Sequence, residues 1–182
     1  MPDGSALCLL RTTDGSGEVA DLTLAEVQAL DAGFDFSKDG GKTFPWRGKG
    51  LVVPTLDQVL DAWPDALYVM EIKLNDPPII DKVLAALEAR GAIPRTVLSA
   101  FNDFAVEEIR AKRPDALTGM GIVEMVKFSV LQPEDRVDYV PPAQFAQPPM
   151  SALTEKLVTL AHKFGVKLHP WTINKGADMK QL

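Results

Sequence analysis

The sequence predicts an α/β fold in which parallel strands alternate with helices, of the (β/α) barrel type. Three observations carry this. Short apolar runs of strand length alternate with longer stretches of helical periodicity. Polar residues gather at the C-terminal ends of those runs: Glu71 and Lys73, then Ser99, then Trp171, Thr172 and Asn174. No G-x-G-x-x-G occurs, which takes weight from a dinucleotide-binding fold.

The elements follow in order. "LTLAEVQAL" opens with Thr23 and, three residues on, Glu26, the spacing of a capping box. Leu22 and Val27 stand at staple positions, and Gly33 is expected to close the helix. "PTLDQVLDAW" repeats the box with Thr55 and Gln58 and ends at Pro64. Between them "SKDGGKTFPWRGKG" reads as a loop. "ALYVMEIKL" reads as a buried parallel strand with two charges near its C-terminal end. "PPIIDKVLAALEARG" predicts a helix burying Ile80, Val83, Leu84 and Leu87. "RTVLSAF" predicts a strand, and a helix to about Lys112 follows it. "ALTGMGIV" is a weaker strand and "VDYV" a short one, leading into the proline-rich "PPAQFAQPPM". A helix with Leu157, Leu160, Ala161 and Phe164 ends at Gly165, and "VKLHPWTIN" is the last strand. A further helix is expected to begin before Leu182.

The 182 residues are 46% hydrophobic and 24% charged, enough apolar material for a core. They are expected to form one domain, partial by comparison with the roughly 250 residues of a full barrel. A net charge of −6 argues against nucleic acid, whose phosphates are met by clustered Lys and Arg. The single cysteine, Cys8, excludes an internal disulfide. No apolar run reaches the roughly 20 residues of a membrane span, and no signal-peptide pattern opens the chain. The expectation is a cytoplasmic protein, unless a preceding segment carries a signal.

"EIK" is the sharpest chemical feature. Period-two alternation puts Glu71 and Lys73 on one face with Leu67 and Val69, pointing into the barrel, and Met70 and Ile72 toward the helices. A buried carboxylate beside a buried ammonium must pair or bind something. The pair is either a metal carboxylate with a cation for an anionic substrate, or an internal ion pair closing the barrel end. Trp171 either stacks on a ligand or packs beneath a helix, and packing is the commoner use of an aromatic. His162 and His169 lack partners at ligand spacing, so satisfied or surface roles fit them. Cys8 reads as a small packed hydrophobe. Lys38, Lys42, Arg47 and Lys49 make a basic loop, either solvated or a lid attracting phosphate.

Five stretches in this order resemble the glycerophosphodiester phosphodiesterase family: "RTTDGSGEVADLTLAEVQALDAG", "GGKTFPWRGKG" with "VPTLDQVL", "YVMEIK", "VLSAF" and "AHKFGVKLHPWTIN". The resemblance implies a TIM-type barrel of the phospholipase C-like phosphodiesterase kind. It also implies hydrolysis of glycerophosphodiesters to glycerol 3-phosphate and an alcohol, in lipid metabolism, with Ca²⁺ or Mg²⁺. On it, Glu71 resembles the family's metal-ligand glutamate and Lys73 the lysine beside the substrate phosphate. Trp171 matches the tryptophan near the glycerol pocket, and Arg11 the arginine after the catalytic histidine loop.

The departures shape the expectation for this chain. The family's strands ending in His-Arg-Gly, Glu-x-Asp and His-Asp have no counterpart here, and the His and Asp positions fall on Ser5 and Ala6. The closing G-V-D-G-I-I-T-D strand is also absent from the 182 residues. The expectation is a barrel incomplete at both ends, with no catalytic residue retained, Ca²⁺ or Mg²⁺ held weakly or not at all, and little or no activity. The alternatives are a non-catalytic remnant or partner subunit, with a homo-oligomer covering the open strand edges, and, more remotely, a barrel enzyme using Lys73 as a Schiff base.

Overall fold

The computed structural model describes residues 13–74, 77–132 and 138–180. The chain divides into two compact units, Met1–Pro64 and Asp65–Leu182.

The first unit has a 3-10 turn, Val19–Asp21, and two short helices, α1 (Leu24–Ala29) and α2 (Leu56–Ala62). Both helices start on the capping boxes that the sequence predicts. Glu26 N donates to Thr23 Oγ1 at 3.3 Å while Thr23 N donates to Glu26 Oε2 at 2.7 Å. Thr55 and Gln58 repeat this at 3.2 and 2.8 Å. Each box satisfies two backbone donors that a helix start leaves unpaired.

Gly33 does not cap α1, which already ends at Leu30. Its role is close approach. A Cβ at this position would stand 2.5 Å from the Trp46 carbonyl oxygen. The Asp31 carboxylate ties the same two chain segments together, accepting from Gly33 N at 2.9 Å and Gly48 N at 2.7 Å.

The second unit is a run of strand–helix repeats. In order they are β1 (Tyr68–Glu71), α3 (Pro77–Glu88), β2 (Thr96–Ser99), α4 (Asp103–Lys112), β3 (Leu117–Thr118), α5 (Ile122–Val130), β4 (Phe145–Ala146), α6 (Glu155–Phe164), β5 (Lys167–Leu168) and α7 (Gly176–Met179). Among the described residues every ladder is parallel: β1 pairs β2, β2 pairs β3, and β4 pairs β5. A parallel bridge between Gly119 and Phe145 joins the two sheets. This is the β/α alternation of a barrel wall.

One face of the strands packs under the helices. Ile72, Thr96, Leu98, Thr118 and Ala146 are buried there, with Ile80, Leu84, Leu87, Val106, Ile109, Leu157 and Leu160 from the helices. Toward the C-terminal half Phe128 anchors a cluster with Met120, Leu157, Leu160 and Ala161, and Tyr139 and Phe164 lie 6.1 and 6.2 Å from its ring. Gly165 ends α6 at φ 69°, the left-handed C-cap that its position predicts. No helix of the described residues is long and apolar enough to cross a membrane.

Two expectations fail in the middle of the chain. "ALTGMGIV" is strand only at Leu117–Thr118, and Ile122–Val130 is helical. The β-branched residues read as strand, but side chains cap a helix start at this point. Glu124 accepts from Gly121 N at 3.0 Å, and Asp103 accepts from Val123 N and Glu124 N at 3.0 Å each. "VDYV" supplies no strand among its described residues; Tyr139 packs on Phe128 instead. The strand lies within the proline-rich stretch, at Phe145–Ala146. Proline is tolerated beside it because carbonyls do the pairing: Gln144, Ala146 and Pro148 accept from Lys167, His169 and Trp171 amides at 2.9, 2.9 and 3.0 Å.

Candidate functional site

Parallel register lays the inward residues out in rows. Glu71 pairs with Ser99, Val97 with Leu117, Gly119 with Phe145, and Phe145 with Lys167. Glu71, Ser99, Gly119, Phe145 and Lys167 therefore form one row. Period two places Lys73, Phe101, Gln147 and His169 in the next row toward the strand C-terminal ends, and Trp171 one step beyond. That end is where a (β/α) barrel carries its chemistry.

Lys73 Nζ and Glu71 Oε1 form an ion pair at 2.8 Å. The ammonium also lies 5.1 Å from the centre of the Phe101 ring. Phe101 meets Trp171 edge-on at 6.2 Å. Trp171 Nε1 donates to the Gln147 carbonyl at 2.7 Å, fixing the indole, and the Trp171–Thr172 peptide is cis. The structure thus brings Glu71, Lys73 and Trp171 into one neighbourhood through Phe101. A cleft of about 420 Å³ opens beside Phe101 between the starts of α4 and α5. Arg11, together with Ser5, Ala6 and Cys8, lies outside the described residues.

The expected burial of the Glu71–Lys73 pair is corrected. Each side chain is 34% exposed. Leu67 and Val69 on the same face are 86% and 59% exposed. Among the described residues β1 is the end strand of its sheet, with a strand neighbour on one side only. The pair is half-solvated, and such pairs contribute about 0–1 kcal/mol to stability. It does not seal a core; it presents a carboxylate and an ammonium to solvent. Trp171, at 42% exposed, is likewise open rather than packed beneath a helix.

Two residues that line this face escape the sequence reading. Phe101 continues the Val97, Ser99 alternation by one step, the same signal that marks Glu71 and Lys73. Gln147 had no such signal, because its stretch reads as a proline-rich connection. A third contribution comes from behind the strands. Arg110 on α4 donates to Thr118 Oγ1 at 2.9 Å, to the Gly119 carbonyl at 3.0 Å, and to both Glu124 oxygens at 2.6 and 3.0 Å. It holds the C-terminal end of β3 in place.

His162 is exposed on the last turn of α6, and the His169 ring lies 5.0 Å from Phe145. Among the described residues no group of three or more His, Cys, Asp or Glu is placed to hold a metal ion. Ca²⁺ and Mg²⁺ take about six or more oxygen ligands. Glu71 brings two, one of them already paired with Lys73, so the described residues do not by themselves fit a divalent cation.

The basic loop of the first unit is braced rather than free. Arg47 Nε donates to the Phe34 carbonyl at 2.7 Å, its guanidinium pairs with Asp35 at 3.2 Å, and it lies 4.1 and 4.0 Å from the Phe34 and Phe44 ring centres. Asp39 closes the turn. The Ser37 hydroxyl above all, then the backbone and hydroxyl of Thr43, hold its carboxyl down to about 2.

The model of the glycerophosphoryl diester phosphodiesterase family matches residues 8–182. The glycerophosphodiester phosphodiesterase of Bacillus subtilis strain 168 is 30% identical over 185 residues, covering 94% of this chain and 61% of the relative. The chain thus spans about three fifths of that relative's length. Among solved structures, the glycerophosphoryl diester phosphodiesterase domain of a Mycobacterium tuberculosis protein aligns with a TM-score of 0.71 at 19% identity, over 94% of this chain and 72% of that one. An Oleispira antarctica phosphodiesterase, solved with the product sn-glycerol-3-phosphate, aligns at 0.64 and 20% identity, over 94% and 66%. At these identities the two structures establish the fold, a barrel of the TIM type.

Proposed function

Since this chain belongs to the glycerophosphoryl diester phosphodiesterase family, we propose that Lys73, Phe101 and Trp171, beside Glu71, bind the phosphate and glycerol of a glycerophosphodiester. The observation that carries this is the half-solvated Glu71–Lys73 pair, 2.8 Å apart, beside the Phe101–Trp171 edge contact. Lys73 offers an ammonium to the phosphate. Phe101 and Trp171 offer ring faces to the carbon skeleton. The Oleispira relative, with glycerol 3-phosphate bound, supports the same class of small molecule.

Hydrolysis asks for more. Glu71 contributes one carboxylate toward Ca²⁺ or Mg²⁺, and we propose that the 182 residues alone hold either ion weakly. The two histidines precede Lys163 and Pro170, so neither stands in a His-Asp or His-Arg-Gly sequence. A positioned acid or base contributes about 10²–10⁴-fold to such a reaction. The proposed outcome is substrate binding with little turnover. Purified chain, assayed for glycerol 3-phosphate release from glycerophosphocholine with Ca²⁺ or Mg²⁺, is expected to run at least ~10²-fold below the Bacillus subtilis relative. Turnover equal to the relative's would sink the proposal.

The exposed Leu67 and Val69 favour a second reading, a non-catalytic subunit whose open face is covered by another chain. Light scattering on a size-exclusion column tests it, and a stable monomer at micromolar concentration counts against it.

A further inference from the structure

We infer that Gln147 determines specificity at this site: its carboxamide hydrogen-bonds the hydroxyl groups of a bound polyol phosphate whose phosphate lies at Lys73. The inference rests on the functional reading above and deepens it.

Position comes first. Gln147 follows β4 directly and stands two positions after Phe145, so both share the inward face. Its backbone is held where it is needed, because its carbonyl accepts the Trp171 indole N–H at 2.7 Å. The side chain then lies over β3. A Cβ built on Gly119 would meet Gln147 Oε1 at 2.7 Å, Ser99 Cβ at 3.0 Å and Gln147 Cδ at 3.4 Å. The glycine at 119 is what leaves room for the carboxamide, in the same inward layer as Ser99 and one strand away from Phe101.

Chemistry comes second. A carboxamide carries two N–H donors and an oxygen with two lone pairs. Gln147 is half-buried, yet its carboxamide forms no hydrogen bond with the described residues. Its neighbour Gln144 behaves differently: that side chain accepts from Thr118 N at 3.1 Å and serves the fold. The Ser99 hydroxyl is also engaged, with the Met70 carbonyl at 3.3 Å. On the inward face, the Gln147 carboxamide therefore keeps both its donors and its acceptor oxygen for a ligand, among the described residues. A hydroxyl needs that combination, since it donates and accepts at once. A phosphate only accepts, and Lys73 already meets that need. Sites that hydrogen-bond a substrate hydroxyl discriminate strongly against analogues lacking it.

The test is calorimetric titration of the full chain with glycerol 3-phosphate, with propyl phosphate, which has the same carbon count and no free hydroxyl, and with inorganic phosphate. The unsubstituted chain is expected to prefer glycerol 3-phosphate over propyl phosphate by ~10-fold or more. Gln147→Leu removes that preference and leaves propyl phosphate and inorganic phosphate within about threefold. Gly119→Ala, which displaces the carboxamide without deleting it, does the same; whichever variant folds decides. A folded Gln147→Leu that keeps the preference overturns the inference and leaves the functional reading standing. If the unsubstituted chain binds none of the three, or Lys73→Met leaves inorganic phosphate binding unchanged, the functional reading fails and the inference with it.

Discussion

Replacing Arg110 by alanine removes four charge-assisted hydrogen bonds at one stroke. The Arg110 and Glu124 side chains are 21% and 12% exposed, so little water is available to replace the lost cation. Breaking a buried pair from one side costs about 3–5 kcal/mol. Partial exposure, and the bond that Glu124 keeps to Gly121 N at 3.0 Å, bring the expected loss to about 3 kcal/mol. For a chain of this length that lowers Tm by about 6–12 °C. Urea unfolding followed by circular dichroism reads it, with a double-mutant cycle against Glu124→Gln. The network reading expects a coupling energy of about 1–3 kcal/mol. A loss below ~1 kcal/mol, or strictly additive single effects, would refute the claim that this guanidinium clamps β3 to α4 and α5.

The remaining predictions concern the first unit, with a control position in the second. Asp39 has a folded pKa of about 2 against a reference of 3.8. Its ionised form is therefore favoured by the fold: the stabilisation is present above pH 3.8 and is lost as pH falls through about 2. Carbon-detected NMR titration of the Asp39 carboxyl checks this, and a midpoint near 3.8 would contradict it. Gly33→Ala forces a Cβ to 2.5 Å from the Trp46 carbonyl oxygen and 2.9 Å from its carbon, which are backbone atoms with little freedom to move. It is expected to cost about 1–3 kcal/mol. Gly176→Ala, where nothing lies within 4 Å, is the control and is expected to be neutral or slightly stabilising. Equal urea midpoints for the two variants would rule the close approach out.

Much of the fold was legible where the signal is local. Thr23 with Glu26 and Thr55 with Gln58 announce two helix starts, because a capping box is completed within four residues. Gly165 announces a helix end because only a residue free of Cβ strain sits comfortably at φ 69°. The alternation through "YVMEIK" likewise put Glu71 and Lys73 on one face before any neighbour was known, since period two is a property of the strand backbone alone. The family resemblance pointed to Trp171 as well, and its ring meets Phe101 edge-on at 6.2 Å.

What stayed hidden depended on partners distant in the chain. "ALTGMGIV" looks like strand to its end until Asp103, 20 residues before Val123, caps a helix there. "AQFAQPP" looks like a connection until the β5 amides meet its carbonyls. The placement of the Gln147 side chain depends on Gly119, and that of Arg110 on Thr118 of β3. The burial of Glu71 and Lys73 was misjudged for the same reason, since whether a strand face is covered depends on what stands beside it. Local periodicity and capping chemistry belong to the sequence itself, because a few consecutive residues satisfy them. Burial, register and the meeting of Lys73, Phe101, Gln147 and Trp171 belong to the folded chain, because each requires residues from different strands to arrive at the same place.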